Sequence, residues 1–252
     1  MSILLVNDDG IYAPGLNALA NRLGEKYEIV IVSPDREQSS VGHAITLADP
    51  LRIYEVKQDG NFFGYAVSGT PADCVKLAIR VILERPPDLL ISGINQGANV
   101  GASLIYSGTV SAATEGTMLL IPSIAVSLDT HREDANFADA AIIVEKIAEK
   151  VLKYGLPGGV LLNVNVPHIP MDKIKGIRIT RQATTYFDDF FERRIDPQGR
   201  TYYWMSGTMV EVDRGEDSDI MAIRQGYVSI TPVHYDLTAK ESISMIENWF
   251  EE

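Results

Sequence analysis

A short apolar segment that ends in two adjacent carboxylates constrains the fold of this chain most. Residues 3–6 of the opening sequence MSILLVNDDG are all apolar, which predicts a strand buried on both faces, as at the centre of a parallel sheet. Turn-forming residues follow, so Asp8 and Asp9 should lie beyond the carboxyl end of this strand, where open α/β sheets bind ligands. Two adjacent carboxylates repel each other unless a proton or a cation separates them. The segment therefore predicts a metal site.

Strand-like and helix-like patterns alternate along the first two thirds of the chain. Helical spacing of apolar residues over 16–23 and an apolar, β-branched run over 27–32 complete a βαβ unit, for which a right-handed crossover is expected. The alternation continues with predicted strands at 88–91, 122–126 and 159–164, predicted helices at 70–82, 109–119 and 135–153, and a predicted edge hairpin at 51–56 and 62–67. We expect an α/β fold with a doubly wound, mostly parallel sheet, Rossmann-like and three-layered.

The pattern changes after Pro167. Residues 175–182 and 200–206 are predicted strands that flank a polar and aromatic stretch, which indicates an extended C-terminal β-hairpin arm. A short helix at 218–224, a strand at 227–231 and a terminal helix at 242–250 should return the chain to the core. Exposed aromatic residues on such an arm favour a partner subunit, and the stretch contains Tyr186, Phe187, Phe190 and Phe191.

These patterns predict a single α/β domain over residues 1–252. Within it, residues 1–166 should form the Rossmann-like core that carries the site, and residues 167–252 the arm and terminal elements. We expect the second part to support oligomerisation, as a homo-dimer or a homo-tetramer.

The charge balance and cysteine content exclude several classes of partner and location. With 34 acidic and 22 basic residues the formal charge is −12, which opposes binding to nucleic-acid polymers and to anionic membranes. The single cysteine, Cys74, excludes an internal disulfide, and no basic-then-apolar leader or membrane-length apolar run is present. We expect a cytoplasmic protein.

Two further polar loops follow predicted parallel strands. The loop at 34–42, PDREQSSVG, offers the hydroxyl of Ser39 or Ser40, and the glycine-rich loop at 92–108 offers the amide of Asn95. Magnesium and manganese accept such hard oxygen ligands, and a doubly wound sheet gathers these loops along one edge. Taken singly, the serines could merely turn the backbone and the glycines could merely allow close packing.

A third feature is suited to phosphate. Ser107, Gly108 and Thr109 precede a predicted helix, whose amino end would hold an anion, although no Gly-Lys-Ser or Gly-Lys-Thr of a P-loop occurs. Among the four histidines only His43 is near a predicted site loop. It could donate a proton to a leaving oxygen, but a histidine in a turn is more often structural.

At these residues the sequence resembles the survival protein SurE family of metal-dependent nucleotidases and phosphatases. The motifs that carry the resemblance are VNDDG, SPDREQSSVGHAIT, SGTPADCV, SGINQGANVG and YSGTVSAATEG, in that order. The resemblance implies that Asp8, Asp9, Ser39 and Asn95 coordinate a divalent cation. It also implies hydrolysis of nucleoside 5′- and 3′-monophosphates, in some members of polyphosphate, and a C-terminal arm exchanged between subunits.

The resulting hypothesis is a phosphomonoesterase that hydrolyses nucleoside monophosphates, with one Mg²⁺ or Mn²⁺ per subunit. Asp8 and Asp9 would be catalytic as well as metal-binding, since one of them would position or deprotonate the attacking water. The predicted contacts to phosphate or substrate are Asn95, Ser107, Gly108, Thr109 and His43.

Three other functions are alternatives to the phosphomonoesterase hypothesis, and the sequence argues against the first two. Aspartyl-phosphate phosphatases need Asp-x-Asp, whereas these acids are adjacent. A phospho-acceptor signalling module is much shorter and uses a later lysine where this chain has Thr109. A metal-dependent nucleotide-binding or regulatory protein without turnover stays open.

Overall fold

The structure is a computed structural model that describes residues 1–212 and 215–250. Its eleven strands are β1 Ser2–Val6, β2 Glu28–Pro34, β3 Ile53–Gln58, β4 Asn61–Val67, β5 Leu89–Gln96, β6 Ser123–Asp129, β7 Val160–Pro167, β8 Ile177–Ile179, β9 Thr185–Ile195, β10 Thr201–Glu211 and β11 Val228–His234. The α-helices are α1 Pro14–Leu23, α2 Pro71–Leu77, α3 Ser103–Tyr106, α4 Gly108–Met118, α5 Ala138–Tyr154, α6 Asp219–Arg224 and α7 Ile243–Glu247. A π-helical turn, Ala78–Ile82, extends α2.

Nine strands form the central sheet, in the order β3-β4-β2-β1-β5-β6-β7-β11-β8. The strands from β4 to β7 in this order pair in parallel. The edge hairpin β3–β4 and the pair β7–β11 are antiparallel. The chain moves outward from β1 to β2 and then returns to β5 on the other side, so the order reverses between β1 and β5. This confirms the mostly parallel, doubly wound sheet and sets its ligand-binding crevice at β1 and β5.

Alternate residues of β1 face two different helical layers. Ile3 and Leu5 belong to the apolar cluster that contains the buried faces of α1 and α5. Leu4 and Val6 belong to the cluster under α2 and α4. All four side chains are fully buried, as an apolar run in a central parallel strand requires. The three-layer prediction is therefore confirmed.

Local sequence explains where the helices begin. Thr70 caps α2 by accepting from the Asp73 amide, and the Asp73 carboxylate accepts from the Thr70 amide in return. Pro71 occupies the first turn, where a missing N–H costs nothing. In α5, apolar residues at helical spacing bury one face.

The C-terminal hairpin is confirmed as an element, but its predicted bounds are wrong. The aromatic stretch is not a loop between strands: it is β9, which pairs with β10 over eleven residues in a separate two-stranded sheet. The turn lies at 196–199, where the Asp196 carboxylate accepts two backbone amides and Gly199 has φ +81°. Residues 177–179, predicted for the arm, instead pair with β11 in the central sheet.

The terminal helix is present as α7 between two 3₁₀ turns, but it does not return to the core. Residues 243–250 are all exposed, including Trp249 and Phe250. That expectation was wrong, because the large apolar side chains of this segment are left exposed rather than buried among the described residues. Residues 213, 214, 251 and 252 of the predicted C-terminal region lie outside the described residues, and the division at residue 166 stays a prediction.

Within 1–212 and 215–250 there is no helix that combines the length and the apolar character needed to cross a bilayer.

Candidate functional site

The two predicted acids lie in a tight turn directly after β1, and a buried asparagine holds that turn. The Asn7 side chain donates to the Gly10 carbonyl at 2.9 Å and accepts the Gly10 amide at 3.1 Å. Ser33 at the end of β2 donates its hydroxyl to Asn7 Oδ1 at 2.5 Å. Gly10 has φ +98°, which a residue with a side chain rarely adopts. Asn7 thus fixes the backbone that presents the carboxylates.

Asp8 lies against the amino end of α4. Thr109 donates its hydroxyl to Asp8 Oδ1 at 2.5 Å. Helix and turn approach so closely that a Cβ on Gly108 would lie 2.8 Å from both Cβ and Oδ2 of Asp8. Ser107 caps the helix by accepting the Val110 amide at 3.1 Å. Ser107, Gly108 and Thr109 therefore let the amino end of α4 pack directly against the carboxylate of Asp8.

The electrostatics of the pair indicate that a positive charge is needed. Burial raises the pKa of Asp8, although hydrogen bonds from Thr109 oppose this. Burial, and then repulsion by Asp8, raise the pKa of Asp9 to about 7. In the part of the chain that is described, no lysine, arginine or histidine forms an ion pair with either acid. A bound cation would stabilise both carboxylates in their charged form.

The other predicted ligands meet the acids around two adjoining cavities of about 520 Å³ each. Asp8, Ser39 and Asn95 line the first cavity, and Asp9 and Ser39 line the second. The Asn95 amide nitrogen donates to the Gly97 carbonyl at 2.6 Å, which commits the nitrogen and leaves the oxygen for a ligand. All four side chains can offer oxygen to the cavities.

This ligand set fits a hard divalent cation. Among residues 1–212 and 215–250, no cluster of three or more His, Cys, Asp or Glu side chains is arranged to hold a metal. A metal at this site would therefore use two carboxylates completed by hydroxyl and amide oxygens. Magnesium and manganese accept such a set and keep several waters.

Comparison with known proteins decides the family. A model of the family described as "Survival protein SurE" matches residues 3–189. The chain belongs to the SurE family.

Its SurE relatives match over almost their full length. The chain is 47% identical over 249 residues to "5'-nucleotidase SurE" of Syntrophobacter fumaroxidans, covering 99% of each chain. It is 50% identical over 244 residues to the protein of the same name from Syntrophus aciditrophicus, covering 96% of this chain and 91% of the other. The crystal structure of the SurE protein from Aquifex aeolicus superposes with a TM-score of 0.85 at 43% identity, over 99% of both chains.

The structure places the residues predicted to contact substrate in three different settings. Asn95 and Ser107 line the first cavity of this SurE chain. Gly108 and Thr109 are buried and face Asp8. His43 is not among the described residues that line either cavity, because its ring binds Glu115.

The His43–Glu115 pair belongs to a clamp on the loop that carries Ser39. His43 Nε2 lies 3.0 Å from Glu115 Oε2, and Lys76 Nζ lies 2.6 Å from Glu115 Oε1. Burial acts to raise the pKa of Glu115, and the hydrogen bonds from His43 and Lys76 outweigh it, so the pKa is lowered. Farther along the loop, Asp73 accepts the Thr46 amide and hydroxyl. Substrate contact by His43 stays a prediction.

Sequence reasoning missed residues that the cavities bring to the site. His131 and Gln96 line both cavities, and Phe187, Asp189 and Met205 of the arm line the first. Part of the loop predicted at 92–108 is also strand, since β5 continues to Gln96 past an irregularity between Ser92 and Asn95. His131 follows the carboxyl end of β6, as the other site loops follow the ends of their parallel strands. It was missed because the predicted strand ended at residue 126, three residues before the end of β6 at Asp129.

Proposed function

We propose that this chain is a divalent-metal-dependent phosphomonoesterase, a 5′-nucleotidase that hydrolyses nucleoside monophosphates to nucleoside and phosphate. The observation that carries the proposal is the pair formed by buried Asp8 and half-buried Asp9 at the carboxyl end of β1, which shares its cavities with Ser39 and Asn95. The relatives named 5′-nucleotidase SurE support the same reaction. Nucleoside 3′-monophosphates and polyphosphate are further candidate substrates of the same chemistry.

Asp8, Asp9, Ser39 and Asn95 would hold one Mg²⁺ or Mn²⁺ per subunit. When bound, such a cation neutralises phosphoryl oxygens and lowers the pKa of a coordinated water.

The chain's own groups then have separate tasks. Thr109 fixes the orientation of Asp8 through a 2.5 Å hydrogen bond. Asp9 is less deeply buried than Asp8, so it is the acid better placed to orient the attacking water and accept its proton. Ser107 lines the cavity at the amino end of α4, where the helix dipole favours the charge of a phosphoryl group.

The arm supports a homo-oligomer, dimeric or tetrameric. Its aromatic side chains Phe190, Phe191 and Trp204 are each about 60% exposed, a degree unusual for large apolar groups without a partner. A cytoplasmic location stays a prediction from the sequence.

The test is phosphate release from AMP and GMP by the purified chain, with Mg²⁺ or Mn²⁺ and with or without a chelator. We expect release that requires the metal. Absence of metal-dependent release across nucleotides and simple phosphomonoesters would overturn the proposal and restore the alternative of nucleotide binding without turnover, which the names of the relatives do not favour.

A further inference from the structure

His131 occupies a defined position at the proposed site. It follows the carboxyl end of β6 and is one of three residues, with Ser39 and Gln96, that line both cavities. Its ring lies over Gly97, where an added Cβ would be 2.7 Å from His131 Cε1. A glycine at position 97 therefore leaves the space that the ring occupies.

The loop that carries His131 is attached to the strand that carries Asn95. Gln96 Nε2 donates to the Arg132 carbonyl at 3.0 Å. The Gly97 amide donates to the Leu128 carbonyl at 2.9 Å, and the Thr130 amide donates to the same oxygen at 2.8 Å. These bonds flank residue 131 on both sides, so they fix the backbone that carries the His131 ring relative to β5.

His131 is also chemically distinct from its surroundings. Of the described residues that line the two cavities, the titratable ones are the carboxylic acids Asp8, Asp9, Glu37 and Asp189, the phenol of Tyr106 and the imidazole of His131, which is the one basic side chain among them. Its ring makes no hydrogen bond to any described residue, and the residue is exposed. Both ring nitrogens are thus available to a ligand and to protons from solvent.

Hydrolysis of a phosphomonoester leaves one proton-transfer step unassigned. The ester oxygen of a nucleoside departs as a strongly basic alkoxide unless it is protonated as the P–O bond breaks. Asp8 is assigned to the cation, Asp9 to the cation and the proton of the attacking water, and the Thr109 hydroxyl already donates to Asp8. An imidazolium is the side chain best matched to this transfer near neutral pH.

We propose that His131 is the general acid that protonates the leaving oxygen of the nucleoside monophosphate, an assignment that rests on the proposed function. The oxygen of water forms a bond to phosphorus while the bond from phosphorus to the ester oxygen breaks. The ester oxygen keeps the electron pair and takes the proton of His131, which gives the nucleoside hydroxyl. The attacking water gives one proton to the Asp9 carboxylate, which leaves hydrogen phosphate; Asp9 then releases that proton to solvent, and the imidazole takes one up from solvent.

The experiment compares two substrates that differ in their need for that proton. The variants are His131→Asn and His131→Gln, and the control is His168→Asn, an exposed histidine that follows β7 and lines a separate cavity. Each full-length protein is assayed with AMP and with p-nitrophenyl phosphate at saturating Mg²⁺ or Mn²⁺. Nitrophenolate is a far weaker base than a nucleoside alkoxide and leaves without protonation.

We expect His131→Asn to lower kcat for AMP by about 10²-fold or more, and kcat for p-nitrophenyl phosphate by less than about threefold. His168→Asn should leave both values unchanged. Equal losses on both substrates, a change confined to KM, or no loss on AMP would each overturn the assignment to His131 alone. A wild-type protein inactive on both substrates would overturn the proposed function together with the assignment.

Discussion

Gly108→Ala should separate catalysis from folding at the contact between α4 and Asp8. The added Cβ would lie 2.8 Å from Asp8 Cβ and Oδ2, and ordinary contact begins at 3.4 Å, so one partner must shift by 3.4 − 2.8 = 0.6 Å. A misplacement of about 1 Å costs roughly 10²-fold in rate. We therefore expect kcat for AMP to fall by roughly ten- to a hundredfold.

Gly108→Ala should stay folded, with only a small loss in the free energy of unfolding. Crowding in a packed region costs about 1–3 kcal/mol, while replacement of a helical glycine by alanine returns up to about 1 kcal/mol. The expected net loss in the free energy of unfolding is ~0–2 kcal/mol. The assays are steady-state kinetics with AMP and Mg²⁺, and urea unfolding of the same preparation.

The matched control is Gly158→Ala, because no described residue has an atom within 4 Å of a Cβ at Gly158 and its φ is not in the left-handed region. This control should keep both activity and stability. If Gly108→Ala were folded and retained full kcat, the claim that α4 sets the position of the Asp8 carboxylate would be refuted.

Three further predictions concern the acids and their turn. Asp8→Asn and Asn95→Ala should each abolish metal-dependent release of phosphate. Thermal unfolding should stay cooperative, because an Asn side chain at position 8 can still accept a hydrogen bond from the Thr109 hydroxyl. Full activity in both variants would reject the site. In the presence of a chelator, the pKa of Asp9 is raised from 3.8 to about 7, so the folded state binds the proton more tightly than the unfolded state and stability should fall as pH rises from about 4 to 7. Asp9→Asn should flatten that slope in urea unfolding followed at several pH values, and an unchanged slope would contradict the shift. Asn7→Ala leaves the buried Gly10 amide without its 3.1 Å acceptor and should cost about 1–3 kcal/mol, measured by urea unfolding; a loss below about 0.5 kcal/mol would show that water replaces the side chain.

Local sequence patterns predicted the residues that stand at strand ends. Asp8, Ser39 and Asn95 each follow or end a parallel strand, and the geometry of a doubly wound sheet brings such positions together without knowledge of side-chain packing. His131 obeys the same rule, but a strand end in a sequence is uncertain by a few residues, and β6 continues to Asp129.

Other parts of the site could not be predicted in this way because they depend on contacts distant in sequence. The Phe187 ring packs edge-on against Tyr106, with centroids 5.9 Å apart, and brings the arm to the first cavity. Nothing local to either residue specifies the other. The packing of α7 could not be predicted for a related reason. An amphipathic pattern indicates that a helix has an apolar face, but it does not indicate which surface covers that face.

The Asp8–Asp9 pair differs from the other buried acids of the fold, which have partners within the chain. Besides Asp8, the deeply buried carboxylates of the described chain are Asp73, Glu115, Glu145 and Asp219. Glu115 binds Lys76 and His43, and Glu145 binds Arg22 and Lys26. Asp73 accepts backbone and hydroxyl donors from Thr46 and Thr70, and Asp219 accepts backbone amides of Gly101, Ala183 and Ile220.

Among these buried carboxylates of the described residues, Asp8 alone has a second carboxylate next to it in the chain, and burial raises the pKa of both Asp8 and Asp9. A buried charge without compensation lowers stability, and this fold compensates its other buried acids with its own groups. The pair is nevertheless held in place by hydrogen bonds that involve four residues, Asn7, Ser33, Gly10 and Thr109. Two repelling carboxylates held this firmly at an open cavity lower the stability of the chain on its own. A cation that binds between them stabilises the folded state, so the arrangement is suited to a cation from outside the chain.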